Sequence, residues 1–382
     1  MNIKRLETSR LFHRFGFGPR PGEYAQAIKD GVDVTRTKLT TAPAVQTTMS
    51  PVVTPEITDL GKRPEPNSTA IVPFVIALRT QEQQMGLWWL DMMALSDHGL
   101  TEKMTWFWHG HWATSIQKLN YPLPMFNQNK TLRTQSLGSF NSMVKAMLND
   151  GALQFWLDGQ DSTSKAPNEN LGRELMELFV LGVNRYTEDD VKAISRALTG
   201  YQVVRSTGQV SINPSRRDTK PVTLLGTTAS FTGDSLSDFL VARDDCAQFI
   251  SERLWYRFIS STEVMPASFS AKSAFASRDI ATAVKAMAAD PSMRNEKYAL
   301  VKSPVEWFIS ACRALELTPS KLQTPTQLKS HLDKLGQVPF NPPNVGGWPA
   351  GGAWLSSATA QYRLAFAAWL IKQSPLTALN QI

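Results

Sequence analysis

The chain has 382 residues, 42% of them hydrophobic and 19% charged, which suits one large core or two closely packed halves and excludes a disordered polymer. Its formal charge is +7, but Lys and Arg are scattered and form no basic stripe with interleaved aromatics, so no specific nucleic-acid binding is expected. No run of about 18 apolar residues is present to span a membrane, and Cys246 and Cys312 fit neither a metal motif nor a disulfide framework, so both are expected as buried small hydrophobes.

The opening Met1-Asn2-Ile3-Lys4-Arg5 leads into an amphipathic stretch rather than an apolar signal region. As given, the chain is expected in the cytoplasm, or exported if a leader was removed. Residues 6–40 read as two or three short helices, with Pro21 at a first helical position. Residues 42–68 shift to Thr, Pro, Ala and Val and predict an extended loop on the surface. A long helix follows over 69–98, stopped near Gly99 by a left-handed glycine, and a second runs over 100–114.

Helical patterns recur at 139–156, 168–182 and 187–199, the last opened by Thr187 with Asp190 three residues on. Residues 201–212 alternate as a hairpin does, and 222–225 add a strand. Helical periodicity returns over 235–335. A loop rich in Pro, Gly, Asn and Trp occupies 339–354, and a helix over 356–373 closes the chain. The fold class is mainly α: a multi-helix single domain over 1–382 with a small β insertion around 201–226.

Several catalytic signatures are absent: His-Glu-x-x-His, Gly-x-Ser-x-Gly and the Walker-type Gly-Lys-Ser/Thr loop. Gly16-Phe17-Gly18 with Gly22 has no strand before it and reads as a turn between helices. Ser-x-x-Lys starts at Ser115, Ser142 and Ser162, and three hits show how unspecific that pattern is.

The richest stretch is Asn168-Glu169-Asn170-Leu171-Gly172-Arg173-Glu174-Leu175-Met176-Glu177. At roughly 100° per residue, Asn170, Arg173, Glu174 and Glu177 share one polar stripe on an otherwise apolar helix. One alternative is an Arg173–Glu177 pair beside a second carboxylate. The other has Glu174 and Glu177 converging on a metal, a proton or a polar substrate, with Arg173 tuning them.

His109 and His111 sit among tryptophans; on a helix they point apart, and they can share a metal only if Gly110 breaks it. Each can equally be a hydrogen-bonded core residue. Asp158 reads as a turn former close enough in sequence to join the Asn168 segment. Arg196 reads as a surface pairing residue or an anion contact. In the 339–354 loop, Asn341, Asn344, Trp348 and Trp354 are candidates for substrate contact, the tryptophans by stacking or, alternatively, as caps on the core.

These segments carry a resemblance to the bacterial domain-of-unknown-function 1800 family. The phrases are Arg10 to Gly18, Glu102-Lys103-Met104 through His109-Gly110-His111-Trp112-Ala113-Thr114-Ser115, Asn168 through Glu177, Tyr186-Thr187 through Gly200, Lys302-Ser303-Pro304-Val305-Glu306, and the Asn341 to Trp354 loop. They occur in the family's order over essentially the whole chain. The resemblance implies a bacterial protein, in many relatives exported, often encoded beside a sulfatase-like protein; it names no activity. This chain departs from it at Arg217, where many relatives carry histidine, and in showing no leader.

Two expectations follow. The first is a hydrolase or transferase acting on a polar or polymeric, sugar-like substrate. Its catalytic candidates are His109, His111, Asp158, Asn168, Glu169, Asn170, Arg173, Glu174, Glu177 and Arg196, with a divalent metal as one candidate cofactor. The alternative is a noncatalytic accessory protein that partners the sulfatase-like neighbour through its aromatic loop.

Overall fold

The computed structural model describes residues 3–375; Met1 and Asn2 of the opening stretch lie outside them. Three short helices, Ile3–Arg14, Glu23–Asp30 and Val32–Thr40, begin the chain. Pro21 is not in a helix. Gly22, at φ 80°, is the N-cap of the second helix, because the chain must reverse sharply there and only glycine adopts that backbone freely. Residues 42–68 form the expected loop; it bridges to the long helix Ile71–Leu95 at Thr48–Ser96 and buries Ile57.

The long helix ends at Ser96 without a left-handed residue. Gly99 instead opens the next helix, Gly99–His111, and is small for a different reason: a Cβ there would lie 3.0 Å from the backbone of Gly16. The predicted helix over 139–156 is two helices, Phe140–Leu148 and Gly151–Trp156, separated where Asp150 caps the second. Pro122–Gln135, not anticipated from periodicity, lies between them and Gly99–His111, with proline at its first turn. Its apolar residues are irregularly placed, so no 3.6-residue rhythm announces it.

Glu188–Ala197 opens as expected, Thr187 and Asp190 forming a reciprocal capping box. Two antiparallel two-stranded sheets follow, Tyr201–Val204 with Gln209–Ile212 and Val222–Leu224 with Thr227–Ala229. Among the described residues there is no other sheet, and the chain is mainly α. The remaining helices include Asp244–Phe258, Pro304–Ala314 and Ser357–Ile371.

Two buried clusters organise the interior. One is built on Trp108, Trp112, Phe179 and Phe258, the other on Trp89, Phe308, Phe340 and Trp348. The Gly99–His111 helix feeds both, because it is buried on nearly every side, as its aromatic content requires. Cys246 and Cys312 are free and buried. Among the described residues no helix is long and apolar enough to cross a membrane.

Candidate functional site

The polar stripe holds in part: Glu174 feels the charges of both Glu177 and Arg173, but Arg173 and Glu177 do not pair. Asn168 caps the helix Glu169–Glu174 by accepting the Asn170 N–H at 2.9 Å. Immediately after Glu174 the backbone widens into a π-helix, Leu175–Val180. That i→i+5 spacing rotates Glu177 away from the position a regular helix assigns it. Arg173 therefore does not pair with Glu177; it holds Glu188 at 2.8 Å and Glu169 at 3.1 Å. Glu177 accepts the hydroxyl of Tyr186 instead. Half-burial, and then the Glu177 charge, push the Glu174 carboxyl above its usual range.

Asp158 does join this region: it binds Lys118 at 2.5 Å and accepts from Asn170 at 3.3 Å. Arg196 pairs with Asp218 at 2.8 Å, and Arg217 donates to the carbonyl of Phe231 at 3.4 Å. Asn341 accepts the Ser115 hydroxyl at 3.0 Å, and Asn344 turns back on the N–H of Gly346 at 2.9 Å.

The histidines are core residues in separate surroundings. His109 Nε2 accepts the N–H of Phe340 at 3.1 Å and its ring touches Trp89, Phe340 and Trp348. His111 Nε2 donates to the carbonyl of Phe179 at 2.9 Å. Burial holds both rings neutral, with pKa values pushed down to about 3. Gly110 leaves the helix unbroken, so the two rings point apart. Among the described residues no three His, Cys, Asp or Glu side chains gather as a metal site would need.

What the fold does assemble is a cavity of about 400 Å³, drawn from five distant segments. Arg10, His13 and Arg14 project from one face of Ile3–Arg14. Lys103, Trp106, Phe107 and Gly110 line it from Gly99–His111, at the i, i+3, i+4 and i+7 spacing of a single helix face. Tyr256 and Arg257 come from the end of Asp244–Phe258, and Lys302, Ser303 and Glu306 from the start of Pro304–Ala314. Trp348 and Trp354 close the wall from the 339–354 loop.

The loop is fixed by close contacts. Trp348 stacks on Trp106 at 5.1 Å. Arg257 donates to the carbonyls of Trp348 and Pro349. Gly347, at φ 80°, lies so near Gly110 that a Cβ would sit 2.2 Å from its carbonyl oxygen. The two tryptophans are buried, as core caps are, and also line the cavity.

Charge is the cavity's most telling property. Arg10, Arg14, Lys103, Arg257 and Lys302 face only two carboxylates, Glu296 and Glu306. Glu306 is already committed: it pairs with Lys103 and caps its own helix through the Ser303 N–H at 3.0 Å. Among the described residues, none of Arg10, Arg14, Arg257 and Lys302 has a carboxylate within ion-pair distance; they hydrogen-bond backbone carbonyls, the Ser310 hydroxyl and the Met293 sulfur, Arg257 also lies over the Tyr256 ring, and Glu296 and Glu306 act on Arg10, Arg257 and Lys302 from farther off. Burial lowers the pKa of all four: that of Arg14 falls to about 9 and that of Lys302 to about 8, helped at Lys302 by the Lys103 charge. His13 beside them is held neutral at about 3, by burial first and by Lys302 and Lys103 next.

Of the cavity's polar residues, only Trp348 and Trp354 were singled out from sequence as contacts. Arg10, Lys103, Lys302 and Glu306 stood inside the quoted family phrases without a role. The i, i+3, i+4 run of Arg10, His13 and Arg14, beside the buried Leu11 and Phe12, was a usable signal. A family model described as "Protein of unknown function (DUF1800)" matches residues 10–382. No curated protein and no solved structure matches the chain.

Proposed function

Because the chain belongs to the DUF1800 family, which supplies no activity to carry over, we propose from the cavity itself that the protein takes up an anionic, sugar-like molecule and acts on it as a hydrolase or transferase. One observation carries this: among the described residues, four cations with no carboxylate within ion-pair distance surround a cavity with three tryptophans in its wall. Buried cations held without counter-charges are costly, and an anionic ligand removes that cost. A carboxylate, sulfate or phosphate group suits the arginines, and the indole faces of Trp106, Trp348 and Trp354 suit a ring. The cavity's size fits one or two sugar units rather than a folded partner.

Tryptophan fluorescence, titrated with glucose, glucuronate and glucose 6-sulfate, tests this. The two anions should change the emission saturably and glucose should not. Equal responses to all three, or none, contradict it.

A second reading keeps Glu174 and Glu177 as acid and base, and is favoured by the π-helix that begins at that point, since such turns recur at functional sites. Glu174→Gln then abolishes turnover without changing cavity binding. A noncatalytic accessory role, with the sulfatase-like neighbour as partner, is what remains if anions bind and no turnover is found.

A further inference from the structure

Two arginines of the first helix are held side by side in the cavity wall. Arg10 and Arg14 lie one turn apart on one face of Ile3–Arg14, and both guanidinium groups end at Met293. Arg10 donates to its carbonyl at 3.0 Å and Arg14 to its sulfur at 3.7 Å. The carbonyls of Asn295 and Tyr298 fix the two side chains further. Arg14 is buried, and the Arg10 charge is the second cause, after burial, of its lowered pKa. Two like charges this close repel unless a negative group lies between them.

The charge around the cavity says how much negative charge is missing. Among the described residues five cationic side chains line it against two carboxylates, a surplus of three. His13 adds nothing, because it stays neutral down to about 3. Lys302, at about 8, and Arg14, at about 9, still carry their protons at neutral pH. Glu306 answers Lys103, and Glu296 acts on Arg10 from farther off. One carboxylate or one sulfate ester brings a single negative charge and leaves most of the surplus. A phosphate monoester brings about two.

We propose that the cavity selects the phosphate monoester of a sugar, with the phosphate between Arg10 and Arg14 and the ring against the tryptophans of the wall. This deepens the anionic-ligand reading above and rests on it. Two guanidinium forks suit the oxygens of one tetrahedral group, and the second charge of that group is what a sulfate ester lacks. Arg257, tied to the carbonyls of Trp348 and Pro349, and Lys302 add positive field from the rest of the wall.

Calorimetric titration of the wild type with glucose 6-phosphate and with glucose 6-sulfate tests this, because the two ligands share ring and tetrahedral group and differ by one charge. At about pH 7.5 the phosphate should bind at least about tenfold more tightly. At about pH 5 it has taken up its second proton, whose pKa is about 6, and the preference should shrink about fivefold or more. Protonation of Lys302, Glu296 or Glu306 over that range only adds positive charge to the wall, so a lost preference reports the phosphate's own proton.

Arg10→Ala with Arg14→Ala leaves a surplus of one, which a single charge matches. With its fold checked by circular dichroism, this variant should bind the two ligands within about twofold of each other. Should it not fold, the wild-type titrations decide alone. A preference unchanged at the lower pH, or kept in the folded variant, overturns the proposal. So does tighter binding of the dicarboxylate glucarate than of glucose 6-phosphate, because the two charges then belong on separate groups. Equal binding of phosphate and sulfate to the wild type removes the phosphate assignment and leaves the anionic-ligand reading standing, whereas binding of neither removes both.

Discussion

The backbone N–H of Phe340 donates to His109 Nε2 across 3.1 Å, joining the start of the tryptophan loop to the helix that carries Lys103 and Trp106. The bond fixes the tautomer, with the ring proton on Nδ1, and it makes His109 a support of the cavity wall rather than a participant inside it. His109→Ala removes a buried ring and strands the Phe340 N–H. It should lower stability by about 3 kcal/mol, read by urea denaturation.

The same histidines set an acid limit. His13, His109 and His111 each have a folded pKa near 3 against an ordinary value of 6.5. Between those values the unfolded chain binds more protons than the folded one, so stability rises with pH across that window. Stability should be full above about pH 6.5 and fall progressively as the pH drops toward 3. His111→Gln should flatten the dependence by one proton, measured as the slope of unfolding free energy against pH.

The Lys103–Glu306 pair lies among buried groups, and Glu306 also caps a helix. Removing the ammonium alone leaves a buried carboxylate without its counter-charge. Lys103→Met should cost about 3 kcal/mol, and Lys103→Met with Glu306→Gln should recover part of it, because the stranded charge is gone. A double-mutant cycle by thermal and urea unfolding measures this.

Glu174 gives the opposite sign. Its folded pKa is raised, so its ionised form opposes folding above the ordinary carboxylate range. Glu174→Gln should raise the melting temperature slightly at pH 7 and leave glucuronate affinity within about twofold, since Glu174 does not line the cavity. A large loss of affinity would place the two sites in one.

Much of the fold was legible from local rules. Thr187 with Asp190 announces a helix start, and the alternation over 201–212 announces a hairpin, because capping and pleating are decided by residues close in sequence. Gly99 misled, since its smallness answers Gly16, more than eighty positions away, and not its own helix end. The Arg173–Glu177 pair misled for a related reason: it assumes a 100° rotation per residue through Glu177, and the π-helix begins just before it. The cavity was the least legible part. Arg14, Arg257 and Lys302 meet only after three helices far apart in the chain have packed, and no local spacing records that meeting. What the sequence carried was the order of the segments, and four of the quoted phrases do converge there, while the Asn168 and Thr187 phrases lie elsewhere.

The cavity's cluster of cations, none with a carboxylate within ion-pair distance among the described residues, is tested most directly by calorimetric titration with glucose 6-sulfate, on wild type and on Arg10→Ala with Arg14→Ala. The wild type should bind with a single site and lose affinity as salt is added. The double variant, with its fold verified by circular dichroism, should bind at least about tenfold more weakly. No heat of binding to the wild type, or the same affinity in the variant, would contradict the assignment of this cavity as the protein's ligand site.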